Sequence, residues 1–163
     1  STGEVLGMAN SFGLAFYKAE QGALSRLPSE GTVLISVADR DKPAVVEVAR
    51  RFAELGFTIK ATAGTRRHLA EAGIESEGIA KLSEGRPNIA DAIANGEIHL
   101  IINTPKGKES KQDDSYIRKT AVRRKLPYIT TLAAALAAAK GIAAYRAGHG
   151  QVKSLQEYHR DIR

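Results

Sequence analysis

The chain contains no cysteine. That excludes disulfides, thiolate metal sites and a cysteine nucleophile. Aromatic residues are scarce, with five tyrosines, four phenylalanines and no tryptophan, and no segment resembles an RNA-binding strand with interleaved aromatics. The histidines His68, His99, His149 and His159 never fall at ligand-like spacing, and no H-E-x-x-H occurs, so no metal site is expected. The longest apolar stretch, Leu132–Ala139, is too short and too alanine-rich to span a bilayer, so no membrane partner is expected. No secretory segment precedes the first elements, and the chain opens on Ser1, not Met. A soluble cytoplasmic protein, and a piece of something longer, is the expectation.

What is present is a chain of 163 residues, enough for one domain, or one domain with an appendage, and for a real core. Lys and Arg total 24 against 18 Asp and Glu, a formal charge of +6. The two signs are interleaved: Glu47 precedes Arg50 and Arg51, and Asp113 and Asp114 precede Arg118 and Lys119. The densest basic run, Arg118 to Lys125, reads as an amphipathic helix with a solvated face. Such a pattern does not ask for nucleic acid; it suits small anionic ligands.

From Gly31 onward strands and helices alternate. Thr32–Val37 is a short β-branched run. Pro43 then sits where a first helical turn tolerates it, followed by Val45, Val46, Val48, Ala49, Phe52 and Leu55 at helical spacing, with Gly56 as the closing glycine. A strand from Phe57 to Ala61, a helix around Arg66–Glu71 ending near Gly73, and a strand Gly78–Leu82 follow. Next come a helix from Asn88 to Asn95, a strand Ile98–Ile102, and a polar loop Lys106–Lys111. A helix from about Asp113 to Lys125, a strand near Tyr128–Thr130 and an alanine-rich helix through Ala144 complete the series. Strands separated by helices of this length require crossovers, hence a parallel sheet covered on both faces. The expected architecture is α/β, a three-layer sandwich with a five-stranded parallel sheet. Before it, Phe12, Ala15, Phe16 and Ala19 put one apolar stripe on a helix, and Ser25–Gly31 reads as the joint. After it, Ser154-x-x-Glu157 is a capping box for a terminal helix. Residues 1–30 are thus expected as an N-terminal helix and linker, and 31–163 as the sheet domain.

Open parallel sheets bind ligands beyond the carboxyl ends of their strands. Those ends carry Ser36, Thr62, Lys81, Asn103 and Thr130. Thr62-Ala63-Gly64-Thr65 adds a glycine and two hydroxyls where a strand gives way to a helix, a seat suited to phosphate. Read as ordinary structure, the same four residues form a turn with threonines capping a helix. Asp39 and Asp41 suit a polar loop and helix N-terminus better than catalysis, and Glu84 has Arg86 close enough in sequence to be its partner.

Ile35-Ser36-Val37, Lys42 and Thr62-x-Gly64-Thr65 resemble the methylglyoxal-synthase-like fold. Within that superfamily the remaining motifs are similar to the C-terminal allosteric domain of the carbamoyl phosphate synthetase large subunit. They are Ser1-Thr2-Gly3-Glu4-Val5-Leu6-Gly7, Glu84-Gly85-Arg86-Pro87-Asn88-Ile89, Ile101-Ile102-Asn103-Thr104, Asp114-x-x-x-Ile117-Arg118-Lys119-x-Ala121 and Tyr128-x-Thr130-Thr131-Leu132. The resemblance covers essentially the whole chain and implies strand order 3-2-1-4-5. It further implies a regulatory unit with no catalytic residue and no cofactor of its own, in a parent ligase that uses ATP with Mg or Mn. The implied partners are a nucleotide effector of the uridine or inosine monophosphate class, the synthetic domains of the same chain and a small glutaminase subunit, with oligomerisation through this domain.

Carried over residue by residue, the phosphate falls to Lys42, Thr62, Gly64 and Thr65. Sugar and base fall to Ser36, Lys81, Asn103 and Thr104. Tyr128 and Thr130 form a second effector corner. Two departures stand out. Pro105 replaces a threonine and offers neither hydroxyl nor N–H. Ile129 replaces an aspartate in the corner that relatives use for ornithine, and it cannot balance an ammonium group, so nucleotide control without strong ornithine activation is expected. The alternative is a phosphate-substrate enzyme of the same fold, a methylglyoxal synthase or purine cyclohydrolase relative. Against it, the Gly-Gly-Asp signature is absent and Asn103-Thr104-Pro105 brings no acid.

Overall fold

β-branched and long aliphatic side chains, in continuous buried runs in β1 (Thr32–Ser36) and β4 (Leu100–Asn103) and in alternation in β2 (Thr58–Ala61), give the inner strands, with the two-residue strands β3 (Glu77–Gly78) and β5 (Tyr128–Ile129) at the margins. The computed structural model describes residues 4–23, 25–105, 111–148 and 152–160. All pairings are parallel, in the order β3-β2-β1-β4-β5. The central strand β1 is buried on both faces. Val33 and Ile35 enter one core with Phe52, Leu100, Ile102 and Ile142, while Leu34 joins Ile93, Ile98, Ile101 and Ile117 on the other side. Each such side chain contributes about 1.5–3 kcal/mol of burial.

The crossovers are α2 (Lys42–Glu54), α3 (Ala63–Glu71), α4 (Ile89–Ala94) and α5 (Lys111–Arg123), and α6 (Leu132–Arg146) returns after β5. Pro43 lies in the first turn of α2, and Gly56 takes the left-handed conformation (φ 75°) after its end. Helix α3 begins earlier than expected. Thr62 is its N-cap residue, so Gly64 and Thr65 lie inside its first turn. The expected strand Gly78–Leu82 is largely a turn: Glu84 accepts from the Lys81 amide at 2.9 Å and draws Leu82–Glu84 into a 3-10 helix. Beyond β3 the Ile79 amide still donates to the Ala61 carbonyl at 3.1 Å, and Ala80 forms an isolated bridge with Asn88.

Helix α1 (Phe12–Gly22) lies across α6 through a glycine contact. A Cβ on Gly13 would come within 2.9 Å of the Lys140 Cβ, and one on Gly141 within 2.9 Å of the Tyr17 Cβ. Tyr17 then stacks on Tyr145 at 4.6 Å. This crossing turns Gly13, Leu14 and Tyr17 inward and leaves Phe12 75% exposed, correcting the expected stripe. The other flank of α1 is covered by the chain at Gly7, whose Cβ would lie 2.9 Å from that of Ala19. The terminal helix α7 (Leu155–Arg160) has the expected capping box, with the Ser154 amide donating to Glu157 at 2.6 Å and Ser154 Oγ accepting from the Glu157 amide at 3.2 Å. Residues 1–3 of the N-terminal motif, most of the polar loop Lys106–Lys111, and His149 lie outside the described residues. Among the described residues no helix is long and apolar enough to cross a membrane, and no group of three or more His, Asp or Glu side chains could hold a metal.

Candidate functional site

Parallel register fixes which side chains share a face. Ser36 of β1 pairs with Asn103 of β4, and Thr62 follows directly after β2 on the other flank. These three form a polar row across the carboxyl ends of the central strands, at the point where the winding reverses. All are buried: Thr62 is fully enclosed, Asn103 3% exposed and Ser36 6% exposed. Thr62 Oγ1 lies 3.4 Å from both Ser36 Oγ and Thr65 Oγ1.

Because Thr62 points into that row, it does not cap α3, and no side chain does. The first-turn amides of α3 therefore have no intrahelical acceptor and face the sheet edge with the positive end of the helix dipole. Lys42, the first residue of α2, reaches the same place. Its Nζ would lie 3.2 Å from a Cβ on Gly64, so the absence of a side chain there leaves room for the ammonium. Asp39 sits 2.6 Å from that Nζ in an otherwise exposed 3-10 turn (Asp39–Asp41). The Asp39 side chain in this pair is exposed, while that of Lys42 is largely covered.

Two threonines of the candidate set hold the chain leaving β1. Thr65 Oγ1 accepts from the Val37 amide at 3.3 Å, and Thr104 Oγ1 accepts from the Ala38 amide at 2.9 Å. Each hydroxyl keeps its own proton for a further acceptor. The ordinary structural role of these residues and a ligand-binding role are therefore compatible. Pro105 is not inert: its carbonyl accepts from Arg40 Nη2 at 3.3 Å, tying the exits of β1 and β4 together. Arg40 was missed by sequence reasoning because it looks like a solvated turn residue between two aspartates.

Beyond Asn103 the network turns toward α5. Asn103 Nδ2 donates to Asp114 Oδ1 at 2.9 Å and to the Tyr128 hydroxyl at 2.8 Å. Burial pushes the Tyr128 phenol upward; the Asn103 hydrogen bond opposes this, the Asp114 charge adds to it, and Arg118 opposes it. Asp114 therefore belongs to the site neighbourhood, although its sequence position, in the first turn of a helix, suggests only a dipole partner.

Not every candidate joins this cluster. Lys81 lies after β3 with its ammonium 3.4 Å from Glu84. Glu84 is thus turned to Lys81, and the expected Glu84–Arg86 pair is replaced by Arg86 with Asp91, whose Oδ2 lies 3.1 Å from Arg86 Nε. Thr130 is exposed just past β5, while Thr131 caps α6 by accepting from the Ala134 amide at 3.2 Å. Ile129 is 7% exposed and part of the core under α6, so it does not face the corner it was expected to alter.

A five-stranded parallel α/β sandwich in the order 3-2-1-4-5, with a buried polar row at its switch point, defines the class of the fold. The model of the MGS-like domain matches residues 44–130, more than half of the chain. The chain belongs to the MGS-like domain family. It is 50% identical over 164 aligned residues to the carbamoyl phosphate synthase large chain, C-terminal section, of Aquifex aeolicus, covering 98% of this chain and 30% of that protein. It is 52% identical to the carbamoyl phosphate synthase large chain of Archaeoglobus fulgidus, covering 99% of this chain and 15% of that one. The chain thus spans less than a third of these relatives. Among solved structures, methylglyoxal synthase from Elizabethkingia anophelis has the same fold, with a TM-score of 0.56, 20% identity, and coverage of 67% of this chain and 76% of that one.

Proposed function

We propose that this chain is the nucleotide-sensing, regulatory domain of a carbamoyl phosphate synthase large chain. It binds a nucleoside monophosphate and has no catalytic residue of its own. The observation that carries the proposal is the seat formed by Lys42 Nζ, Gly64 and the uncapped first turn of α3. A phosphate there receives one ammonium, backbone N–H groups and the helix dipole together. The hydroxyl proton of Thr65 would serve it, Thr62 donating within the polar row to Ser36 or Thr65, and Ser36, Asn103 and Thr104 would line the route to sugar and base. Lys81 would join by leaving Glu84, an exposed pair of little net strength.

Allostery needs an effector that binds two states of the parent differently. The partners in that process are the synthetic domains of the same chain, and the parent also works with a small glutaminase subunit and with ATP and Mg or Mn. The domain itself needs no cofactor. Ornithine is a weak or absent activator here, because among the described residues the Tyr128–Thr130 corner brings no carboxylate of its own beyond Asp114, which is engaged with Asn103.

A thermal-shift panel tests the reading, since a ligand that binds only the folded state raises apparent stability by mass action. Uridine or inosine monophosphate should raise the melting temperature in a dose-dependent way, and the free nucleosides should raise it far less. Equal shifts with nucleoside and nucleotide would remove the phosphate seat from the proposal.

A further inference from the structure

The side-chain amide of Asn103 is oriented by a partner that can only accept. Nδ2 lies 2.9 Å from Asp114 Oδ1 and 2.8 Å from the Tyr128 hydroxyl. A phenol can donate or accept, so Tyr128 by itself would allow either orientation of the amide. A carboxylate oxygen offers no proton, so turning the amide over would set its carbonyl against Asp114. Asn103 is 3% exposed, and burial makes such a mismatch costly. With both N–H bonds directed at α5 and β5, Oδ1 is the amide atom left without a partner among the described residues. Asn103 stands in register with Ser36, in the row that leads from the anion seat.

We infer that Asp114 is a positioning residue that fixes Asn103 with its carbonyl oxygen toward the ligand, so that the site requires a hydrogen-bond donor at this point. This rests on the nucleotide-binding reading above and deepens it. The donor is an O–H or N–H of the nucleotide, supplied by the ribose or by the base edge. A nucleotide presenting only an acceptor there leaves Oδ1 buried without a partner, the arrangement that gives polar sites their strongest discrimination.

The test titrates the chain with uridine monophosphate, its 2′,3′-dideoxy analogue and its N3-methyl analogue, the last two removing the ribose and base donors in turn. Wild type should lose at least about tenfold in affinity for one analogue, which identifies the source of the donor. In Asp114→Asn the amide of Asn103 can turn over, and the same ratio should fall below about threefold. Tyr128→Phe keeps the carboxylate, and with it the wild-type ratio. A ratio unchanged in Asp114→Asn overturns the inference, as does a wild type that treats all three nucleotides alike. A readout without ligand separates this from failure of the nucleotide reading. In the free protein the Asn103 side-chain NH2 protons should exchange with solvent at least about tenfold faster in Asp114→Leu than in wild type. If no nucleotide binds yet this acceleration appears, the nucleotide reading fails and the positioning of Asn103 stands. If exchange is unchanged, the positioning role is wrong whatever binds.

Discussion

At the scale of single residues, Gly64 is informative because stability and binding should move in opposite directions there. Alanine is the better helix former, by up to about 1 kcal/mol in a helix interior and less in a first turn. Its Cβ would press on the Lys42 ammonium at 3.2 Å and enter the space above the α3 amides. Gly64→Ala should therefore melt at the same temperature as wild type or higher, while its affinity for uridine monophosphate falls about tenfold. Calorimetric melting and titration on one preparation check both halves; loss of stability with affinity intact would refute the placement of Lys42 over Gly64. The Ser154–Glu157 box could be read from the sequence because it depends on near neighbours. Other contacts could not. Glu84 was matched to Arg86 by proximity, but the 3-10 turn brings it to Lys81 and leaves Arg86 to Asp91. The link from Asp114 to Asn103 spans two elements, and no local pattern announces it.

At the scale of elements, alternation of strand and helix was readable because hydrophobic period and turn residues agree along most of the chain. It failed where a contact made in three dimensions decides. Phe12 belongs to the apolar stripe by helical spacing, yet the Gly13–Gly141 crossing selects a different face of α1. Gly141→Ala would drive a Cβ into Tyr17 and the α1 backbone, and should cost roughly 1–3 kcal/mol of stability, seen as a lower melting temperature. Little change would mean that α1 shifts freely on α6. The N-terminus of α4 makes a prediction about pH. The hydrogen bond from Arg86, and after it that from the Asn88 amide at 2.9 Å, hold the Asp91 carboxyl below the ordinary range. Lys60 does the same to Glu97 across the sheet, at 2.7 Å. A depressed native pKa means that the unfolded chain takes up protons first. This stability is present above the ordinary carboxylate pKa, about 4, and is lost as pH falls through the lower native values. Denaturant midpoints measured between neutral and strongly acidic pH should fall along that limb, and the fall should be shallower in Asp91→Asn.

At the scale of the whole molecule, the sheet order 3-2-1-4-5 puts the ends of β1 and β4 side by side, and the site lies where they meet. Methylglyoxal synthase shares this fold, so the fold by itself does not choose between catalysis and the proposed regulation. That choice rests with the carboxylates at the seat. Asp39 is engaged with Lys42, and Asn103-Thr104-Pro105 supplies no acid opposite it. Incubation with dihydroxyacetone phosphate should therefore yield no methylglyoxal; turnover abolished by Asp39→Asn would reverse the assignment in favour of an enzyme. In the parent protein, saturating ornithine should activate weakly while a nucleotide changes the rate, and strong ornithine activation would mean that another domain supplies the missing carboxylate. Ile129→Asp is a poor probe of that point, since Ile129 is buried in the core and a charge there would cost several kcal/mol.

The proposed nucleotide-sensing role depends on Lys42 meeting a phosphate. A hydrogen bond to a charged group contributes about 1.5–3 kcal/mol, so removing it should weaken binding about tenfold or more. Isothermal titration of uridine and inosine monophosphate into wild type and Lys42→Ala measures this directly, with melting curves of both to establish that each is folded. Saturable binding to wild type, weakened at least about tenfold in Lys42→Ala, is the expected result. Equal affinity in the two proteins, or no binding of either nucleotide to folded wild type, would contradict it.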